Sequence, residues 1–171
     1  MPLRSDWSEN ECPIRRSLDV LGDPWVLVIV RDVLQGRGRF EQLRNGLGIS
    51  EAVLSRRLRS MEEAGLLTRV DYRDGGGRLR RGYAATEAAA ELLPVLQQLA
   101  VWSERHLPFP EGGGHMGLLH NACGHESTRG EVCSACGEEL RAEDMTWVKT
   151  WKDVSTPLVG PGVLGGLGVS A

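Results

Sequence analysis

Two short stretches in the C-terminal third repeat one pattern. His120-Asn121-Ala122-Cys123-Gly124-His125-Glu126 and Cys133-Ser134-Ala135-Cys136-Gly137-Glu138-Glu139 align without a gap. Each sets two potential ligands with two residues between them and closes with glycine. Such a knuckle suits a tetrahedral metal ion: the tight turn brings both ligands to one ion, and backbone amides point at the sulfur. The glycine takes the positive φ that L side chains resist. With nine residues between the knuckles, the segment reads as a short zinc-ribbon-like hairpin with His120, Cys123, Cys133 and Cys136 as ligands. Three thiolates and a neutral imidazole around a dication leave about one negative charge, which suits structural zinc. Protein fills all four positions and no His-Glu-x-x-His base is present, so the pattern is not that of a catalytic centre. His125 competes with His120 for the fourth position, since Cys123-Gly124-His125 is also compact. A hairpin that has lost its metal, or a disulfide between two of the three cysteines, fits the same spacing. A module this small carries almost no apolar core, so metal binding is expected to supply its folding free energy.

The fourth cysteine, Cys12, stands alone, with Glu9 and Glu11 before it and Arg15 and Arg16 after it. Its oxidation needs an intersubunit partner or a small-molecule thiol, because no second cysteine lies nearby in sequence. A redox-sensing thiol and a small apolar side chain in a packed interface both fit this position.

Arginine supplies the other chemistry. Between Arg37 and Arg81 there are eleven arginines, no lysine and six acids, a local excess of five positive charges in a chain of net charge −3. From Pro108 to Ala171 the balance reverses, with four bases and eight acids. A basic middle in an acidic whole is the footprint of a nucleic-acid surface, and guanidinium forks suit phosphate and guanine. A solvated, salt-bridged face has the same composition, so position must decide.

The elements that position these residues follow from punctuation and period. A short helix over 15–21 stops at Gly22, and Pro24 opens a second, apolar helix with Trp25, Val26, Ile29, Val30 and Val33 at helical spacing. Phe40, Leu43 and Leu47 share one face of a third. Ser50 caps a fourth that runs to Ala64, with Gly65 as its stop. On it Leu54, Leu58 and Met61 form the core stripe, and Ala52, Ser55, Arg56, Arg59 and Ser60 the opposite face. Arg57 sits at the border, where an internal salt bridge is equally open to it. The period then becomes two from Leu67 to Tyr72. A turn at Asp74-Gly75-Gly76-Gly77 and a return strand over 79–84 make a hairpin carrying Arg73, Arg78, Arg80 and Arg81. Thr86 caps a last long helix to Leu107, with Leu92, Leu96, Leu99 and Trp102 or Ser103 as its stripe and Pro94 kinking or splitting it.

This order is the winged helix-turn-helix plan. Small residues on the fourth helix admit close approach to a major groove, Ser and Arg reach base edges and phosphates, and the hairpin straddles the adjacent backbone. The expected DNA-contacting residues are Arg39, Ser50, Ala52, Ser55, Arg56, Arg59, Arg73, Arg78, Arg80 and Arg81. The last helix calls for a partner surface, either a second copy of the chain or its own domain.

Cys12-Pro13-Ile14, Leu21-Gly22-Asp23-Pro24-Trp25, Gly38-Arg39-Phe40-Glu41-Gln42-Leu43, Ile49-Ser50, Leu54-Ser55-Arg56-Arg57-Leu58 and Glu62-Glu63-Ala64-Gly65-Leu66 occur in the order in which the HxlR family carries them. Leu92-Leu93-Pro94-Val95-Leu96 with Trp102 and His106 closes the match. From Cys12 to Leu107 the chain resembles that family. The resemblance implies a MarR-like homodimer on inverted repeats in bacterial promoters, and a cysteine near Cys12 that in several relatives senses oxidants or electrophiles. Two positions depart from the pattern. The wing tip has glycines where relatives often carry prolines, which predicts a more mobile wing, and Ala85-Thr86-Glu87-Ala88-Ala89 replaces Leu-Thr-x-x-Gly.

The expected fold is mainly α with a small β-hairpin wing, plus a small β zinc-ribbon-like module. Residues 1–107 form the DNA-binding and dimerisation domain, 108–117 a linker, 118–152 the ribbon and 153–171 a flexible Gly-rich tail. The expected function is a sequence-specific transcriptional regulator acting as a repressor, with a small-molecule or electrophile inducer. A basal or polymerase-associated factor joining a winged helix to a zinc ribbon is the alternative. No phosphate loop, nucleophile motif or paired carboxylates indicate an enzyme. The 171 residues contain no run of eighteen apolar residues and no apolar leader near Met1, which predicts a cytoplasmic protein without membrane contact.

Overall fold

In the computed structural model the described residues are 6–109, 114–127 and 131–165. Helix α1 (Pro13–Leu21) begins two residues earlier than the sequence suggests, because Pro13 occupies the first turn, where its missing N–H costs nothing. Helix α2 (Pro24–Leu34) is capped by Asp23, whose carboxylate accepts the Trp25 N–H at 3.0 Å, and it buries Val26, Ile29, Val30, Val33 and Leu34. Helix α3 (Phe40–Leu47) buries Leu43. Helix α4 (Glu51–Glu63) starts where the Ser50 hydroxyl accepts the Val53 N–H at 3.4 Å, and its stripe Leu54, Leu58 and Met61 is buried.

Strands β1 (Leu67–Arg73) and β2 (Leu79–Ala85) pair antiparallel from Leu67↔Ala85 to Arg73↔Leu79. Thr86 ties the root of this hairpin to α4: its hydroxyl donates to the Gly65 carbonyl at 2.6 Å and accepts the Ala89 N–H at 3.4 Å. The expected long helix is split into α5 (Glu87–Ala90) and α6 (Leu93–His106), with Pro94 in the first turn of α6. Leu93 and Gln97, one position along from the expected stripe, are its buried centre. Leu92 and Leu96 pack at the edge of the core, while Leu99 and Trp102 are exposed.

The C-terminal third differs most from expectation. Strands β3 (Met116–His120), β4 (His125–Ser127), β5 (Met145–Lys149) and β6 (Val154–Pro157) form one antiparallel sheet in the order β4-β3-β5-β6. Leu118, Met145, Trp147 and Leu158 are buried in a cluster continuous with the helical core. Fully burying one such side chain is worth roughly 1.5–3 kcal/mol, so the module has apolar folding free energy that short knuckles alone do not reveal.

The expected linker ends early, since Met116 and Gly117 already belong to β3. The expected tail is strand β6 followed by a segment docked on β5, α2 and β2. The Leu158 N–H donates to Met145 O at 2.9 Å, Val159 N–H to Leu34 O at 2.8 Å and Gly162 N–H to Ala85 O at 2.8 Å. Its glycines permit close backbone packing instead of disorder, a distinction that composition cannot make. The parts of the expected tail and linker at 166–171 and 110–113 lie outside the described residues.

The sheet is also fastened by polar contacts. Gln97 Nε2 donates to Met116 O at 3.2 Å, and Glu104 accepts the Met116 N–H at 2.8 Å. Lys149 Nζ donates to Gln35 Oε1.

Candidate nucleic-acid interface and metal centre

On α4 the residues opposite the core stripe point to solvent. Ser50, Ala52, Ser55, Arg56 and Arg59 are exposed, and neither arginine makes an ion pair among the described residues. Arg57 is different. Its guanidinium meets Asp23 at 2.5 Å with both side chains about three-quarters shielded, so the border position resolves to the internal ion pair. Asp23 thereby caps α2 and holds α4 with one carboxylate.

The wing carries the other expected cations. Arg78 is exposed and its side chain makes no hydrogen bond or ion pair among the described residues. Arg73 donates to Gly77 O at 2.9 Å, Arg80 pairs with Asp74 at 3.1 Å, and Arg81 lies 3.6 Å from Asp71. Exposed pairs of this kind are screened by solvent and weaker than a charge-assisted contact to phosphate, so they leave these arginines available. Arg39 lies over the Tyr72 ring at 4.5 Å, joining the start of α3 to β1.

Asp74 braces the tip, where glycines alone predict looseness. Its carboxylate accepts the Gly76 N–H at 3.1 Å and the Arg78 N–H at 2.9 Å. The Arg80 guanidinium, then these amides, hold it below the usual carboxylate range.

The knuckle residues converge. Ligand atoms of His120, Cys123, Cys133 and Cys136 all lie within 4.8 Å of one another. His120 Nδ1 is 3.3 Å from Cys123 Sγ and 3.4 Å from Cys136 Sγ, and Cys123 Sγ is 3.6 Å from Cys133 Sγ. A tetrahedral zinc with its usual bond lengths sets ligand atoms about 3.6–3.8 Å apart, so four ligands fit around one ion. The same spacings are far longer than a disulfide, and all four cysteines are free.

The two knuckles share one geometry. Gly124 N–H donates to His120 O at 2.8 Å with φ 68°, and Gly137 N–H to Cys133 O at 3.0 Å with φ 78°. His120, at 2% exposure, is the histidine of the group; His125 is its cross-strand neighbour and is exposed. Hydrogen bonds from the backbone of Cys136 and Ala135 draw the Cys133 thiol down to about 6, toward the thiolate a metal takes. His120 Nε2 faces Glu138 at 3.8 Å, on the side a carboxylate takes in metal–histidine–carboxylate arrangements.

Cys12 caps α1 with its backbone, is half-buried, and lies apart from the other three cysteines. One polar cluster had no signal in the sequence. His115 Nδ1 meets Glu104 of α6 at 2.8 Å, and its Nε2 meets Glu126 of β4. Hydrogen bonds to Glu126 and then Glu104 raise the His115 pKa against an opposing desolvation. The three residues stand eleven apart in sequence and share no element, so no local pattern announces the clasp.

The HxlR-like helix-turn-helix family matches residues 20–110. The uncharacterized HTH-type transcriptional regulator Rv3095 of Mycobacterium tuberculosis is 38% identical over 133 residues, 78% of this chain and 82% of the relative. YdeP of Bacillus subtilis, another HTH-type transcriptional regulator, is 27% identical over 61% of this chain and 83% of its own. Among solved structures, PA1607 aligns at TM-score 0.63 and 31% identity, covering 82% of this chain and 96% of its own. The redox regulator HypR in its oxidized form aligns at TM-score 0.50 and 28% identity, covering 57% of this chain and 99% of its own. With the family match spanning more than half of its length, the chain belongs to the HxlR-like helix-turn-helix family and is an HxlR-type transcriptional regulator.

Proposed function

We propose that the protein binds inverted-repeat promoter DNA as a homodimer and represses transcription by occupying it. The observation that carries this reading is the set of exposed cations without an intramolecular partner among the described residues, Arg56 and Arg59 on α4 and Arg78 on the wing. Ala52 and Ser55 let α4 approach base edges. Arg56 and Arg59 then reach guanine or phosphate, with Ser50 at the helix start and Arg39, Arg73, Arg80 and Arg81 on the flanking backbone.

Dimerisation is supported by apolar surface that the single chain leaves uncovered. Helix α1 has no buried residue, and Ile14 and Leu18 are exposed on it. Val95, Leu99 and Trp102 repeat at helical spacing on the outer side of α6 and are also exposed, followed by Leu107 and Phe109. Exposed apolar side chains on two helices of one regulator fit a second copy of the same chain.

His120, Cys123, Cys133 and Cys136 would hold a structural zinc, which neutralises the thiolates and locks the two knuckles together. Cys12 would give thiol-dependent control, in line with HypR being a redox regulator. The winged helix and zinc site together also suit a polymerase-associated factor, but no observation favours that reading here.

The test is binding of the protein to duplex DNA from its own promoter across a salt series. The affinity should fall linearly on a log–log plot, with a slope of about −0.9 for each phosphate contacted. A salt-independent affinity, or none above that for random duplex, contradicts the reading. For the thiol, diamide should weaken binding in the wild type and not in Cys12→Ser; equal weakening in both removes Cys12 from control.

A further inference from the structure

The segment after β6 is built into the base of the wing. Leu158, Val159 and Gly162 anchor it by backbone hydrogen bonds to β5, to the C-terminal end of α2 and to the last residue of β2. Beyond Gly162 the side chain of Leu164 enters the gap between the α2–α3 loop and β2. A Cβ on Gly38 would stand 2.6 Å from Leu164 Cδ1, and a Cβ on Gly82 2.9 Å from Leu164 Cδ2. Gly36 and Gly165 cross so closely that a Cβ on Gly36 would lie 2.8 Å from the Gly165 Cα. The loop and strand are themselves joined, since the Tyr83 N–H donates to Gly38 O at 2.8 Å. The α2–α3 loop, β2 and the C-terminal segment are thus locked together around one leucine, at glycines that leave no room for a side chain.

A two-stranded hairpin has little stability of its own and takes its orientation from what grips its root. Here β1 and β2 reach past the helices with arginines at their far end, so a small rotation at Gly82 becomes a large displacement at Arg78. We propose that Leu158–Gly165 is a third working part of the DNA-binding unit, and that Leu164 is the positioning residue that holds the wing at its DNA-binding angle. The proposal rests on the reading that the wing touches DNA. The energetic advantage is preorganisation: a wing held in place before binding loses less freedom when it docks. The wing is therefore held by a distant stretch of chain, and the sheet that precedes this stretch is the frame that delivers Leu164 to it.

The test uses the full-length chain with Leu164→Ala and Leu164→Met. Amide hydrogen exchange of β1 and β2 is measured without DNA, and affinity is measured on own-promoter duplex. Leu164→Ala should speed wing exchange about tenfold while the amides of α2 and α4 keep their protection. It should weaken DNA binding on the order of tenfold. Leu164→Met, which keeps the side chain long and apolar, should stay within about twofold of the wild type on both readouts. Unchanged wing exchange, or unchanged affinity, in folded Leu164→Ala overturns the proposal. Should Leu164→Ala fail to fold, Leu164→Val gives the same two readouts with a smaller cavity. Arg78→Ala separates this proposal from the reading beneath it. If that variant binds DNA normally, the wing contact itself is at fault, while exchange without DNA still reports whether Leu164 grips the wing.

Discussion

The wing and the knuckles are both short turns closed by glycine, yet they direct their functional groups in opposite ways. At the wing, backbone pairing and the Asp74 brace form the hairpin, and the arginines point outward. At the knuckles, the side chains turn inward to a common centre within 4.8 Å, with His120 and Cys133 almost fully buried. One hairpin, formed by backbone pairing and held at its root by the rest of the chain, turns its charges to solvent; the other turns its polar groups on itself. Exposure and pairing, more than residue type, separate a recognition surface from a structural site.

The contrast breaks first at the sheet that carries the knuckles. Trp147→Ala should cost roughly 3–5 kcal/mol in denaturant unfolding, because Trp147 is fully buried in the shared core. A loss below about 1 kcal/mol would mean that the knuckles and not the apolar core hold the module. Elemental analysis of purified protein should find about one zinc per chain, and Cys136→Ser should lower it to near zero. Metal-free wild-type protein with free thiols would remove the zinc site and leave only the hairpin.

Arg57 and Arg78 sharpen the comparison within the basic surface. Arg57→Met should cost about 1 kcal/mol of stability through its lost pair with Asp23, with DNA affinity changed less than about threefold. Arg78→Ala should do the reverse, with stability unchanged and the salt slope reduced by about one contact. Matching effects from the two variants would erase the distinction between paired and unpaired arginines.

The smallest effect belongs to the His115 clasp between α6 and β4. Its pKa is raised in the folded chain, first by Glu126 and then by Glu104. The protonated form therefore stabilises the fold below the unfolded value of about 6.5, and that stability fades as pH rises through the raised folded value. His115 is partly exposed, so screening limits the gain. Melting curves from pH 5 to 9 should show His115→Gln removing a pH-dependent shift of only ~1–2 °C. An identical pH profile in the variant would show that the clasp carries no charge.

The sequence is most informative where chemistry is local. The Ser50 cap, the Leu54, Leu58 and Met61 stripe and the knuckle glycines all depend on spacing within a few residues and are found as read, and His120, Cys123, Cys133 and Cys136 converge. The pairing of Arg57 with Asp23 depends on two helices meeting, which is why the border position stayed open in the sequence. Trp147 reads as one more apolar residue until the sheet order places it beside Leu118. The C-terminal segment is the largest miss, because glycine-rich composition has the same appearance whether the glycines allow disorder or close packing. Gly165 crossing Gly36 shows the second case.

The central claim is that Arg56 and Arg59 on α4, without a partner among the described residues, read DNA, whereas Arg69, held by Glu62 through two hydrogen bonds, is scaffold. Its most direct test compares own-promoter binding of Arg56→Ala/Arg59→Ala with that of Arg69→Ala, whose side chain is already held by Glu62 at 2.7 Å. The account predicts a loss of at least about a hundredfold for the double variant and less than about threefold for Arg69→Ala at the same salt. Retained binding in the double variant, or equal losses in both, would contradict it.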